Sequence, residues 1–234
     1  GMILGENGIK MGKRFPEYVI NPSDIVRDYG ADTLRLYEMF MGPLEVSKPW
    51  SMSGVEGAKK FITRVWNFFT EPANLTADND GALTRVYHQT VKKVTDDFEA
   101  LAFNTAISQL MIFMNAAYKA GNCPKEYAEG IVKLLSPVTP HVCEELWSVL
   151  GHDNTIAYES WPVYDEKELE VDTIEIAVQV NGKLKGKISV GVDEDQESAL
   201  AKANAHPDVK AFLDGKTIVK EIYVKGRIVN IVAK

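Results

Sequence analysis

Glycine and lysine are interleaved near the start of the chain, where Gly5, Gly8 and Gly12 alternate with Lys10 and Lys13 and Arg14 follows. Glycine lets a backbone approach a phosphate and an ammonium group neutralises it, so Lys10 to Arg14 reads as a turn built to meet phosphate. It is not a Walker loop. That motif has four residues between its glycines and a Ser or Thr after its lysine, whereas three residues separate Gly8 from Gly12 and Arg14 follows Lys13. A second set of cations, Lys183, Lys185 and Lys187, recurs at strand spacing, with Lys225 and Arg227 at a neighbouring turn. Such a row is either a contact for sugar-phosphate or the solvated outer face of a small sheet. Other chemistry-bearing types lead to plainer expectations. His141 and Cys143 lie two apart without a second pair, so buried packing and no metal site are expected. Asp96 and Asp97 read as a solvated helix face, and Met111 and Met114 as core filler. Trp50, Trp66, Trp147 and Trp161 read as core and interface packing.

The elements that position these groups follow from pattern. With 234 residues and 45% hydrophobic content the chain is an ordinary globular protein of about two domains. No apolar run is long enough to cross a bilayer and no signal core opens the chain, so a cytoplasmic protein without membrane association is expected. Cys123 and Cys143 are expected to be buried, reduced thiols. A net charge of -7 argues against binding nucleic acid, DNA included, through the whole surface. Residues 1–171 carry 16 Lys and Arg against 24 Asp and Glu, and residues 172–234 carry 10 against 9, which makes the C-terminal third the better candidate for meeting phosphate.

Residues 1–52 form a mixed segment with a strand-like opening, the lysine loop, a helix from Pro22 and Ser23, and another after Gly30 that Asp32 can cap. Residues 53–160 have helical periodicity throughout and read as an antiparallel bundle. Ser53 and Glu56 form a capping box, with Val55, Ala58, Ile62, Val65, Trp66 and Phe69 as one apolar stripe. Further helices are expected at 80–101, 104–119, 124–135 and from Pro140 to a cap at Gly151. Residues 161–172 read as an acidic linker. Residues 173–234 change period and give a small α+β module in the order β-β-α-α-β-β. For its first hairpin, a bulge with Gly182 in the turn pairs Gln179 with Lys183 and keeps lysines off the apolar face. Asp193 with Gln196 reads as the next helix cap.

The loop Lys-Met-Gly-Lys-Arg, followed by Ile20-Asn-Pro-Ser-Asp-Ile-Val26 and Tyr29-Gly-Ala-Asp-Thr-Leu-Arg35, resembles the signature loop and adjoining helices of class I aminoacyl-tRNA synthetases. Within that class, Met39-Phe-Met-Gly-Pro43, Gly54-Val-Glu-Gly57, Leu135-Ser-Pro-Val-Thr-Pro-His141, Trp161-Pro162 and Val178-Gln-Val-Asn-Gly-Lys183 resemble bacterial leucyl-tRNA synthetases, over essentially the whole chain. That resemblance implies a C-terminal fragment, consistent with Gly1 as a cloning residue. It implies an upstream ATP site to which Lys10, Met11, Gly12 and Lys13 contribute phosphate contacts, with Lys13 catalytic. It also implies tRNA contact by Lys183, Lys185, Lys187, Lys225 and Arg227. Gly12 and Arg14 depart from the usual Lys-Met-Ser-Lys-Ser. ATP with Mg2+, leucine and tRNA(Leu) are the implied partners of the full-length enzyme, an ATP-dependent ligase. The fragment is expected to be a monomer, to hold no cofactor and to be inactive alone. A valyl or isoleucyl enzyme, or a stand-alone RNA-binding module, is the alternative.

Overall fold

The computed structural model describes residues 1–169, 173–191 and 194–234, and the chain divides into two units, Gly1–Leu169 and Glu170–Lys234. In the first unit, β1 (Ile3–Leu4) precedes the lysine loop, and α1 (Pro22–Tyr29) begins where the Asn21 side chain accepts the Ser23 N–H at 3.0 Å. Gly30, at φ +95°, turns the chain into α2 (Ala31–Phe40). Asp32, expected to cap α2, does something else. Its carboxylate is buried and accepts the Val142 N–H at 2.7 Å and the His141 Nδ1 contact at 2.8 Å, capping a helix far along the chain.

β2 (Lys48–Pro49) pairs in parallel with β1 and leads into α3 (Met52–Phe69). The cap of α3 is Ser51 and not Ser53: Ser51 Oγ accepts the Gly54 N–H at 3.3 Å. The short β3 (Leu75–Thr76) is followed by α4 (Thr84–Glu99) and α5 (Phe103–Ala120). Then β4 (Cys123–Pro124), parallel to β3, introduces α6 (Lys125–Leu135) and α7 (Pro140–Val149). Gly151, at φ +96°, ends α7 in the left-handed conformation that glycine tolerates.

The periodic residues of these helices meet in one core. Val55, Ala58, Ile62, Val65 and Phe69 are buried as the stripe requires, joined by Phe61 and Phe68, while Trp66 is only half-buried. Val91, Val94, Ile107, Leu110, Met114, Cys143, Leu146 and Trp147 complete it. The stretch from Trp161, expected as linker, packs on α4 as far as Leu169: Trp161 Nε1–H donates to Thr95 Oγ1 at 2.8 Å and the Asp165 N–H to His88 Nδ1 at 3.0 Å.

In the second unit β5 (Thr173–Val180), β6 (Lys183–Gly191), α8 (Gln196–Ala205), α9 (Pro207–Leu213), β7 (Ile218–Val224) and β8 (Ile228–Ala233) follow in turn. The sheet order is β6-β5-β8-β7, with β5 and β8 parallel. Ile176, Val178, Val180, Ile188, Val190, Val229 and Ile231 share a core with Ala199, Ala203 and Val209 of the helices. The first hairpin differs from its expected register. Asn181 and Gly182, at φ +49° and +75°, make a two-residue turn that pairs Val180 with Lys183, and the bulge comes later, between the pairs Gln179–Leu184 and Val178–Gly186. Displacing the extra residue to Lys185 restores the alternation just as a bulge in the turn would have done. Asn181 is held there by its side-chain amide, which exchanges hydrogen bonds with the Ala233 backbone at 2.9 and 3.0 Å. Asp193 lies outside the described residues; the cap of α8 is Asp195, which accepts the Ser198 N–H at 2.8 Å.

Candidate nucleic-acid interface

The lysine loop is fixed at its root and open at its tip. Gly5 is buried and donates its N–H to Ile9 O at 2.9 Å, and Leu4 bridges to Lys10. Met11 packs against the bundle core, where its Sδ accepts the Ile20 N–H at 3.5 Å. Beyond that anchor Gly12, Lys13 and Arg14 are exposed, and neither Lys10 nor Lys13 has an ion-pair partner among the described residues. A Cβ on Gly12 would meet nothing within 4 Å, and its φ is not left-handed. A serine would therefore fit the same backbone, so this departure from the signature carries no geometric demand. The loop presents positive charge to solvent from a rigid base, an arrangement suited to a polyanion.

The cations of the C-terminal unit are brought together less than their spacing suggests. Because the bulge falls at Lys185, the three lysines do not share one face. Lys183 pairs with inward-facing Val180, Lys185 Nζ sits 3.9 Å from the centroid of the Phe212 ring on α9, and Lys187 Nζ binds Glu175 Oε2 at 3.0 Å. Lys202 is held in turn by Glu194, whose side chain is one-tenth exposed. Bonds from Lys202, from the Ser198 hydroxyl and from the Gly191 N–H hold the Glu194 carboxyl down to about 2. Arg227 is exposed in the turn between β7 and β8, and Lys225 beside it has a partner of its own.

A basic surface that motif reading missed lies on α3. Helical periodicity puts Ser53, Gly57, Lys60, Arg64 and Asn67 within about 80° of arc, with no acidic residue among them. Arg64 is pre-positioned: its guanidinium lies 4.8 Å from the centroid of Tyr118 on α5, donates to Asn115 Oδ1 at 2.9 Å, and its carbonyl accepts the Tyr118 hydroxyl at 2.9 Å. Lys60 is exposed without an ion-pair partner among the described residues. The helical wheel of residues 53–67 contained this signal. Two glycines interrupt the helix, each costing about 1 kcal/mol relative to alanine. Gly54 has a reason, since a Cβ there would come within 2.5 Å of the Tyr37 ring; at Gly57 a Cβ would meet nothing within 4 Å.

The remaining candidates resolve into packing. Cys143 is buried, which pushes its thiol up to about 12, but the His141 side chain is 75% exposed and bonded to Asp32, so it is not the buried residue expected. Among the described residues no group of three His, Cys, Asp or Glu could hold a metal ion. Asp97 is not solvated: it is buried, with one oxygen on Lys93 and the other unpartnered. Trp147 is buried and stacked 3.6 Å from His152, and Trp50 meets Tyr37 edge-on at 4.9 Å.

Comparison with known proteins agrees with a role around RNA. Residues 80–200, about half of the chain, match the family described as the anticodon-binding domain of tRNA ligase. The chain belongs to this family of anticodon-binding domains. It is also similar to the agnB2 LeuRS of Agrobacterium radiobacter K84, solved as a ternary LeuRS-tRNA-LeuAMS complex, with a TM-score of 0.74 and 29% identity. The match covers 100% of this chain and 33% of that one, so this anticodon-binding domain chain spans a third of the length of the LeuRS it resembles. Among its described residues no helix is long and apolar enough to cross a membrane.

Proposed function

We propose that this chain is the tRNA-binding part of a leucine-tRNA ligase, a cytoplasmic monomer that joins leucine to tRNA(Leu) through an ATP-derived leucyl-adenylate. The observation that carries the reading is the open loop tip, with Lys13 free of any ion pair among the described residues beyond the Met11 anchor, in a chain similar over its whole length to a tRNA-bound LeuRS. Lys10 and Lys13 suit the phosphates of ATP, and ATP with Mg2+ would supply the activated phosphate when bound. The Lys13 ammonium would then face the charge that develops on those phosphates, the electrostatic role that such cations fill. Among the described residues the loop is accompanied only by the two-stranded β1-β2 pair, and on this reading the chain alone is inactive. Its retained activity is tRNA binding, led by Lys60 and Arg64 and supplemented at the hairpin ends by Lys183, Lys225 and Arg227.

The test is a salt titration of the chain against a leucine tRNA and an unrelated tRNA. Salt-dependent binding that favours the leucine tRNA supports the reading; equal binding removes the leucine assignment, and no binding removes the RNA assignment. Pyrophosphate exchange should stay at background with the chain alone. In a ligase that includes the catalytic part, Lys13→Ala should lower exchange by about 100-fold or more.

A further inference from the structure

We infer that Gly57 is where the RNA backbone comes closest to the protein, its missing side chain leaving room for a ribose-phosphate against the exposed turn of α3. The inference rests on the tRNA-binding reading above and adds the point of contact. Gly57 lies well inside an 18-residue helix, away from either cap, where glycine weakens the helix. Its neighbour Gly54 has an internal cause in the Tyr37 ring, whereas the space over Gly57 is open. Among the described residues nothing requires the glycine, and a requirement from a bound ligand is what the inference supplies.

The surroundings define what fits there. Lys60 stands one turn along the same stripe and Arg64 two turns along, with Arg64 oriented by Tyr118 and Asn115. Ser53 supplies a hydroxyl one turn in the other direction. Glu56, the nearest acid in sequence, lies about 100° around the helix from Gly57 and one turn before Lys60, with which it makes no ion pair among the described residues. Two cations following a bare stretch of helix, with a hydroxyl preceding it, suit a sugar-phosphate chain lying along α3, with phosphates at Lys60 and Arg64 and a ribose over Gly57. A methyl group at 57 would leave the fold intact and hold that chain away, weakening both cation contacts as the separation grows.

The opposite signs of the two effects make the test. The whole chain, its Gly57→Ala, Gly57→Leu and Lys60→Ala variants, and a transcribed leucine tRNA are compared by thermal melting and by binding across a salt series. Gly57→Ala should melt a few degrees higher than wild type and bind about tenfold more weakly, Gly57→Leu weaker still, with salt slopes reduced by up to about 1. A Gly57→Ala variant that melts higher and binds as wild type overturns the proposal. If Lys60→Ala alone weakens binding, RNA follows the stripe but does not approach Gly57 closely. A Gly57→Ala variant that melts lower also overturns it, because the space over Gly57 would then not be open. Absence of salt-dependent binding by wild type removes the functional reading itself, and the occupant of this site with it.

Discussion

The bundle and the C-terminal sheet unit hold their positive charge differently. In the sheet unit four lysines are visibly engaged at home: Lys185 and Lys216 lie over Phe212, Lys187 holds Glu175, and Lys202 holds Glu194. On α3 of the bundle, Lys60 has no ion pair among the described residues and Arg64 is steadied by uncharged partners, an amide and an aromatic ring. A cation with a carboxylate beside it must give up that partner before it can serve a phosphate. One oriented by neutral groups keeps its charge for the ligand. The stretch with net charge +1, residues 172–234, is thus the poorer phosphate surface along its strands, and the acidic remainder carries the better one. Net charge by region is a weak guide where the pairing is unknown.

Four measurements would break or sharpen this contrast. The largest effect is expected from combining Lys60→Ala with Arg64→Ala, which should cut tRNA affinity about 100-fold and lower the salt slope by about 1.4 to 1.8. A slope that stays put places the phosphate contacts elsewhere. Next, Asp32→Ala removes the charged acceptor at the start of α7 and should cost the bundle about 2 kcal/mol in a urea titration, with tRNA binding unchanged once folded. Parallel loss of stability and binding would mean that the α3 stripe depends on the α2–α7 tie. Third, the sheet unit should be acid-sensitive. Glu194 is held down to about 2 when folded, so its contribution is fully present above about pH 4.5 and is lost as the pH falls towards 2. Circular dichroism of Glu194→Gln should lack that component of the acid transition. The smallest effect belongs to Lys187→Ala, an exposed pair worth at most about 1 kcal/mol, which should leave the salt slope within about 0.3 of wild type. A larger drop would show that Lys187 leaves Glu175 for RNA.

The helices were legible because their apolar residues recur at the helical period, and Val55, Val65, Ile107 and Leu146 are buried as that period requires. Caps were less so. Ser51 and Ser53, or Asp193 and Asp195, are equally good acceptors in sequence, and the choice depends on where the backbone leaves the extended region. For the hairpin, keeping lysines off the apolar face excluded the Val180–Lys183 pairing that the structure has; the extra residue sits at Lys185 instead of in the turn, and pattern alone does not separate the two positions. In the candidate site, Lys10 and Lys13 were legible from type and spacing, and Lys60 and Arg64 were available from periodicity alone. Which lysines are engaged was not legible, since Glu175 and Phe212 reach them across strands and from a helix. The role of Asp32 was hidden for the same reason: its partners are 109 and 110 residues away.

That distant cap has a consequence for amide exchange. The first amides of a helix have no acceptor within it and exchange readily. Val142 is one of these in α7, yet its proton is held by a carboxylate carried on α2. Slow exchange at this one amide therefore reports the docking of α2 rather than the integrity of α7. It gives a single-residue reporter, inside the bundle, for whether the segment that follows the lysine loop is in place.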